Sequence, residues 1–144
     1  PLPGLNGVYR FNGTTWIPVQ IALAREIDAI GNVGPVSNGT TILSSTIPAL
    51  PFAYRINYRS IGTIGFPGVT GQFRVDVAVT AGTVFQPARQ NVQVVNAQWG
   101  AVAEGGYIDV PANTAITVTF RFTGTQTGYA NIHTHLSIQL PGSY

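Results

Sequence analysis

The sequence predicts an all-β fold, a jelly-roll-like antiparallel sandwich of about eight strands, and three observations carry that expectation. Apolar and polar residues alternate strictly in four separate stretches, which is the pattern of a strand with one buried and one wet face. Gly and Pro fall between those stretches at turn-like intervals, as at Pro48, Pro51, 65–68, 81–82, 111–113 and Gly124. Only 8% of the 144 residues are charged and there is no lysine, while 44% are hydrophobic and Thr, Asn, Gln and Gly fill much of the rest. Ordinary soluble domains carry about 25% charged residues and use them, lysine above all, to keep sheet edges from pairing. Strands without that protection are expected to be covered by other copies of the chain or by a larger assembly.

The elements follow in chain order. Asn12-Gly13 lies between Val8-Tyr9-Arg10-Phe11 and Thr14-Thr15-Trp16-Ile17, so a two-residue hairpin turn is expected, with Tyr9 opposite Trp16 and Val8 opposite Ile17. A lone hairpin is marginal in water and must pack on something. After Pro18 the spacing of Leu23, Ile27 and Ile30, with Arg25 three residues before Asp28 and Gly31 as a stop, predicts a short amphipathic helix. Residues 31–39 are rich in Gly, Asn and Ser and read as a linker. The expected division is therefore 1–31, hairpin and short helix acting as attachment and connector, and 32–144, a β-sandwich head.

Within the head the first strand is expected near 40–47. Phe52, Tyr54, Ile56 and Tyr58 then alternate with Ala53, Arg55, Asn57 and Arg59. Phe73, Val75, Val77 and Val79 alternate with Gln72, Arg74 and Asp76. Ile116, Val118, Phe120 and Phe122 do so with Thr117, Thr119, Arg121 and Thr123, and Ile132, Leu136, Ile138 and Leu140 with Asn131, His133, His135, Ser137 and Gln139. Weaker strands are read at 90–99, where the apolar parity shifts as at a bulge, and at 106–110, after a loop at Gly105-Gly106.

Several function classes lose support. A chain of this length can bury roughly 70% of its unfolded surface in one core. Without cysteine there is no disulfide framework and no thiolate-bound metal. No run of about 18 apolar residues spans a membrane, and the first residues lack the basic and apolar regions of a signal peptide. Methionine is absent even at position 1, as in a trimmed or excised chain. The net charge of +2 comes from seven arginines spread along the sequence, with no cluster to neutralise a row of phosphates, so nucleic acid is not an expected partner. Of five carboxylates only Glu104 and Asp109 are expected near a loop, and no nucleophile elbow, phosphate loop or zinc-protease motif occurs. The chain is not expected to be an enzyme.

The string Asn6-Gly7-Val8-Tyr9-Arg10-Phe11-Asn12-Gly13-Thr14-Thr15-Trp16-Ile17-Pro18-Val19 resembles segments that recur in tail-fibre and other fibre-like proteins of tailed bacteriophages. The Thr-, Asn- and Gly-rich composition behind it is similar to the heads of such fibres. The resemblance implies a homotrimeric, extracellular virion protein without membrane insertion, attached to tail, baseplate or capsid proteins through the hairpin that carries Tyr9 and Trp16. Its expected role is a tail-fibre or receptor-binding head that attaches to host-surface glycan. The alternatives are a capsid-decorating or head-fibre protein and a non-viral jelly-roll lectin.

Candidate binding residues follow from position. Trp99 beside Gly100 and Tyr107 after Gly105-Gly106 are expected near loops, where a flat ring can stack on a sugar or else cap the core. Arg55 and Arg59 share a polar face and can hold an acidic group, or pair with a neighbouring carboxylate such as Asp76. His133 and His135, two apart on one strand, project to the same side. No resident cofactor is expected; the one opening for a divalent metal is a threefold axis where these histidines from three chains meet, as the resemblance to iron-binding fibre tips implies.

Overall fold

The computed structural model describes residues 7–14, 16–21, 26–30, 34–86, 91–95 and 98–139. All regular elements among them are strands: β1 Gly7–Phe11, β2 Trp16–Ile21, β3 Glu26–Ile30, β4 Gly34–Val36, β5 Thr41–Ile47, β6 Tyr54–Gly65, β7 Gly71–Val79, β8 Thr83–Phe85, β9 Val92–Val94, β10 Trp99–Val110, β11 Ile116–Gly124 and β12 Gly128–Gln139. β1 and β2 form a hairpin. The rest form two antiparallel sheets, one ordered β3-β12-β6-β10-β8 with β4 also on β12, the other β5-β11-β7-β9.

The alternation read from sequence sets the two inner faces. On the larger sheet Tyr54, Ile56, Tyr58 and Ile64 of β6, Val102, Ile108 and Val110 of β10, and Ala130, Ile132 and Leu136 of β12 are buried. On the smaller sheet the buried set is Phe73, Val75 and Val77 of β7 and Ile116, Val118, Phe120 and Phe122 of β11. Phe73 stacks on Phe122 at 6.2 Å between ring centroids, and Phe66 meets Phe73 edge-on at 6.3 Å. Tyr58 of the larger sheet meets Phe120 of the smaller edge-on at 5.6 Å. Such pairs contribute about 0.5–1.5 kcal/mol each beyond the area they bury. One polar pair lies within this core among the described residues: Ser60 and Thr134, both buried and in register on adjacent strands of the larger sheet, share a 2.9 Å hydrogen bond. That bond removes most of the cost of burying two hydroxyls.

Tyr54 departs from this pattern. Its hydroxyl is buried without a hydrogen-bond partner among the described residues, and burial pushes its pKa up to about 12. Tyr54→Phe is therefore expected to stabilise the fold by about 1 kcal/mol, because an orphan hydroxyl costs more than it returns. The unfolded phenol ionises near pH 10 while the folded one resists until about 12, so wild-type stability drops across that interval at up to about 1.4 kcal/mol per pH unit. The alkaline drop should be shallower in Tyr54→Phe, as denaturation at stepped pH would measure.

Four sequence expectations are corrected. Glu26–Ile30, read as part of a helix, is a strand paired antiparallel with His133–Ser137 of β12. Helices shorter than about 12 residues are marginal alone, and Glu26-Ile27-Asp28-Ala29 alternates as readily as it spirals, so the open edge of β12 decides the outcome. The same pairing carries residues 26–30, assigned by sequence to the attachment segment, into the larger sheet. In the hairpin, Phe11 rather than Tyr9 pairs with Trp16, with ring centroids 5.3 Å apart; Tyr9 pairs with Pro18, and past a bulge between Val8 and Tyr9, Val8 pairs with Gln20 rather than Ile17. Asn12 accepts a hydrogen bond from the Thr14 backbone N–H at 2.9 Å, and from Tyr9 to Phe11 the register is shifted by two from that of a two-residue turn. Finally, Gly105-Gly106 is not a loop but the middle of the twelve-residue β10. A Cβ on Gly106 would lie 2.6 Å from the Tyr58 hydroxyl oxygen, so the glycine admits that ring without breaking the strand.

Candidate functional site

Odd-numbered residues of β6, β10 and β12 form the outer face of the larger sheet, and the registers place them in rows. Trp99, Gly65 and Tyr129 make the first row, with Gly65 in the middle. Trp99 is 61% and Tyr129 46% exposed, an unusual outlay of aromatic surface for a described sandwich whose other large rings are mostly buried. Three atoms of the Trp99 indole lie 3.0–3.3 Å from where a Cβ on Gly65 would stand. The ring is thus laid across the glycine toward Tyr129. Beyond this row the chain turns at Phe66-Pro67-Gly68, where Gly68 has φ +78° and Phe66 is buried. The two rings, Gly65, the turn and Gln98 line an open pocket of about 260 Å³, and none of its lining residues is charged. Chemically this is a flat apolar floor with amide and phenol hydrogen-bonding groups at the rim.

At the far end of β10 a second cluster stands on the same face. Arg55 holds Asp109 with two hydrogen bonds, Nε to Oδ1 at 2.7 Å and Nη2 to Oδ2 at 3.0 Å. The guanidinium lies 3.8 Å from the centroid of the Tyr107 ring, and Phe85 stacks on Tyr107 at 4.7 Å and 18°. Arg55 and Tyr107, both candidates from sequence, are therefore engaged with each other, and the most open ring of the cluster is Phe85, 49% exposed. The expected partner Asp76 is instead bound to Arg74 and to the Thr123 hydroxyl, at 2.9 and 2.7 Å. Asp109 and Glu104, the carboxylates expected beside a loop, lie on β10, where Gln86 Nε2 donates to Glu104 Oε2 at 3.3 Å.

The remaining candidates lie between these clusters or apart from them. Arg59 is exposed in the row with His135 and Gly105, and His133 shares a row with Ile61 and Ala103. Both histidines face outward from β12 as expected, and Asp28 of β3 is in register with His135. Among the described residues no group of three or more His, Asp or Glu side chains is assembled to hold a metal ion within one chain. Tyr9 and Trp16 lie on the hairpin, Trp16 exposed.

Sequence reasoning found Trp99, which opens β10, but it missed Tyr129, Gly65 and Phe85. Parity on β12 carries a usable signal for Tyr129, since it falls two residues before Asn131 on the polar set. Gly65 becomes meaningful only when the register sets it under Trp99. No protein-family model matches this sequence, and no characterised protein matches it either.

Proposed function

We propose that this chain is the adhesive head of a virion fibre, a homotrimeric jelly-roll protein outside the cell that binds host-surface glycan and catalyses nothing. The observation that carries the reading is the pair of outward rings, Trp99 and Tyr129, held over and beside Gly65 at one end of the sandwich. A pyranose has an apolar face and an equatorial rim of hydroxyls. It suits a flat indole below, a second ring at the side and amide groups at the border. The uncharged lining favours a neutral sugar over an acidic one, because an anion moved there from water gains no counter-charge.

The jelly-roll wiring is supported by strand order. β5, β6 and β7 alternate between the sheets, as do β9, β10, β11 and β12, and β12 closes beside the earliest strands of the sandwich. Self-association is supported by β5, a seven-residue edge strand of sequence Thr-Ile-Leu-Ser-Ser-Thr-Ile with no charge and no proline to blunt it. Three copies would place three weak sugar sites on one rigid body, and affinity for a cell surface would then come from multivalency.

A glycan array and titration against intact cells test the reading. Wild-type protein is expected to bind neutral glycans, and Trp99→Ala to lose at least about tenfold in affinity with an unchanged fold, since an exposed anchor ring of this kind supplies a large share of binding energy. Binding to emptied capsids in place of any glycan would replace adhesion with decoration.

A further inference from the structure

The Trp99 pocket and the Phe85 cluster lie at opposite ends of one strand, on one face. Trp99 and Tyr107 stand eight positions apart on β10, about 27 Å of extended chain. Between them the outward positions of that strand are Ala101, Ala103 and Gly105, none with a side chain larger than a methyl group. Beside this strip, Thr63, Ile61 and Arg59 of β6 are exposed in register with it. On the other side β8 pairs with β10 over Tyr107–Asp109. The Phe85 end is built rather than incidental. Asp109 fixes Arg55, Arg55 backs Tyr107, and Tyr107 backs Phe85, leaving one ring half open on the last residue of a three-residue strand.

We infer that the outer face of β10 is a linear glycan track, with Trp99 and Phe85 as stacking platforms at its two ends and Ala101, Ala103 and Gly105 as its floor. The inference rests on the glycan reading of the Trp99 pocket and extends it: the ligand is a linear, predominantly neutral polysaccharide several sugars long, not a terminal monosaccharide. Small floor residues suit a ribbon of pyranoses, which needs flat contact along its length. A globular protein partner would leave the strip between the rings poorly filled. Arg55 and Tyr107 act here as positioning residues for Phe85.

The test is a length series, using malto-, cello- and chito-oligosaccharides from disaccharide to octasaccharide against full-length protein by calorimetry. Affinity is expected to climb with length in at least one series and to level off once the chain reaches both rings. Phe85→Ala should lower octasaccharide affinity about tenfold and leave disaccharide affinity unchanged, whereas Trp99→Ala should lower both. Phe85→Leu keeps apolar bulk without a flat ring and should behave as Phe85→Ala; it serves if the alanine variant unfolds. Disaccharide binding through Trp99 with no gain from length, or full octasaccharide affinity in Phe85→Leu, would overturn the track and leave the single pocket standing. No binding to any neutral sugar would overturn both.

Discussion

Gly62→Ala should destabilise the protein by about 3 kcal/mol or more, the upper end of what overpacking costs. Gly62 lies in β6, the central strand of the larger sheet, opposite Val102 on β10 and Ile132 on β12. A Cβ there would collide with the carbonyl oxygen of Asn131 and stand 2.7 Å from the Cα of Ile132. These are backbone atoms of a paired strand, so no rotamer change relieves the clash, and β12 must be pushed from β6 where eleven residues pair. Urea denaturation should show the midpoint falling sharply, while Thr63→Ala, one residue on and exposed, should change it little. Equal stability of Gly62→Ala and wild type would mean that the two strands approach less closely than described.

Phe120→Ala should cost about 3–5 kcal/mol by a different route. Phe120 is fully buried at the centre of β11, and its ring is what the smaller sheet presents edge-on to Tyr58 of the larger. Truncation leaves a void between two sheets that cannot close without moving both. The loss includes the transfer energy of the ring and the aromatic contact with Tyr58. Phe120→Leu, which keeps most of the volume, should recover much of that stability. If alanine and leucine gave the same small loss, the two sheets would not be packed through this residue.

The core was legible from sequence because burial on a strand has a period of two and nothing else in these segments competes with it. The 73–79 and 116–123 stretches, and the even-numbered positions of β6 and β12, needed only that rule. The places where reading failed are those decided by partners distant in sequence. Glu26–Ile30 became a strand because β12 offers it backbone hydrogen bonds, and a five-residue window contains no trace of β12. The hairpin tip was found, but its strands pair two residues further along there than a two-residue turn sets them. Gly105-Gly106 looked like punctuation because a glycine pair usually is. Here one of them makes room for Tyr58, a residue nearly fifty positions earlier. The site was half legible for the same reason. Trp99 stands out by type, but a pocket needs Gly65 and Tyr129 beside it, and only the β6 registers with β10 and β12 set them there.

The hydroxyl rows on the smaller sheet illustrate the remaining point. Ser44 pairs with Thr119 and Thr46 with Thr117 across adjacent strands, at 3.3 and 3.0 Å. Composition alone announces a surface rich in neutral hydroxyls. It does not say that they satisfy one another, which lets an outer face do with so few charges.

The central claim is that sugar binds on Trp99. The chain has only two tryptophans, Trp99 beside the pocket and Trp16 on the hairpin, so a neutral oligosaccharide titrated into labelled protein can be followed at two indole N–H resonances. The Trp99 signal should move in a saturable way while the Trp16 signal stays in place. An unmoved Trp99 signal with a bound glycan present, or a shift confined to Trp16, would contradict the account.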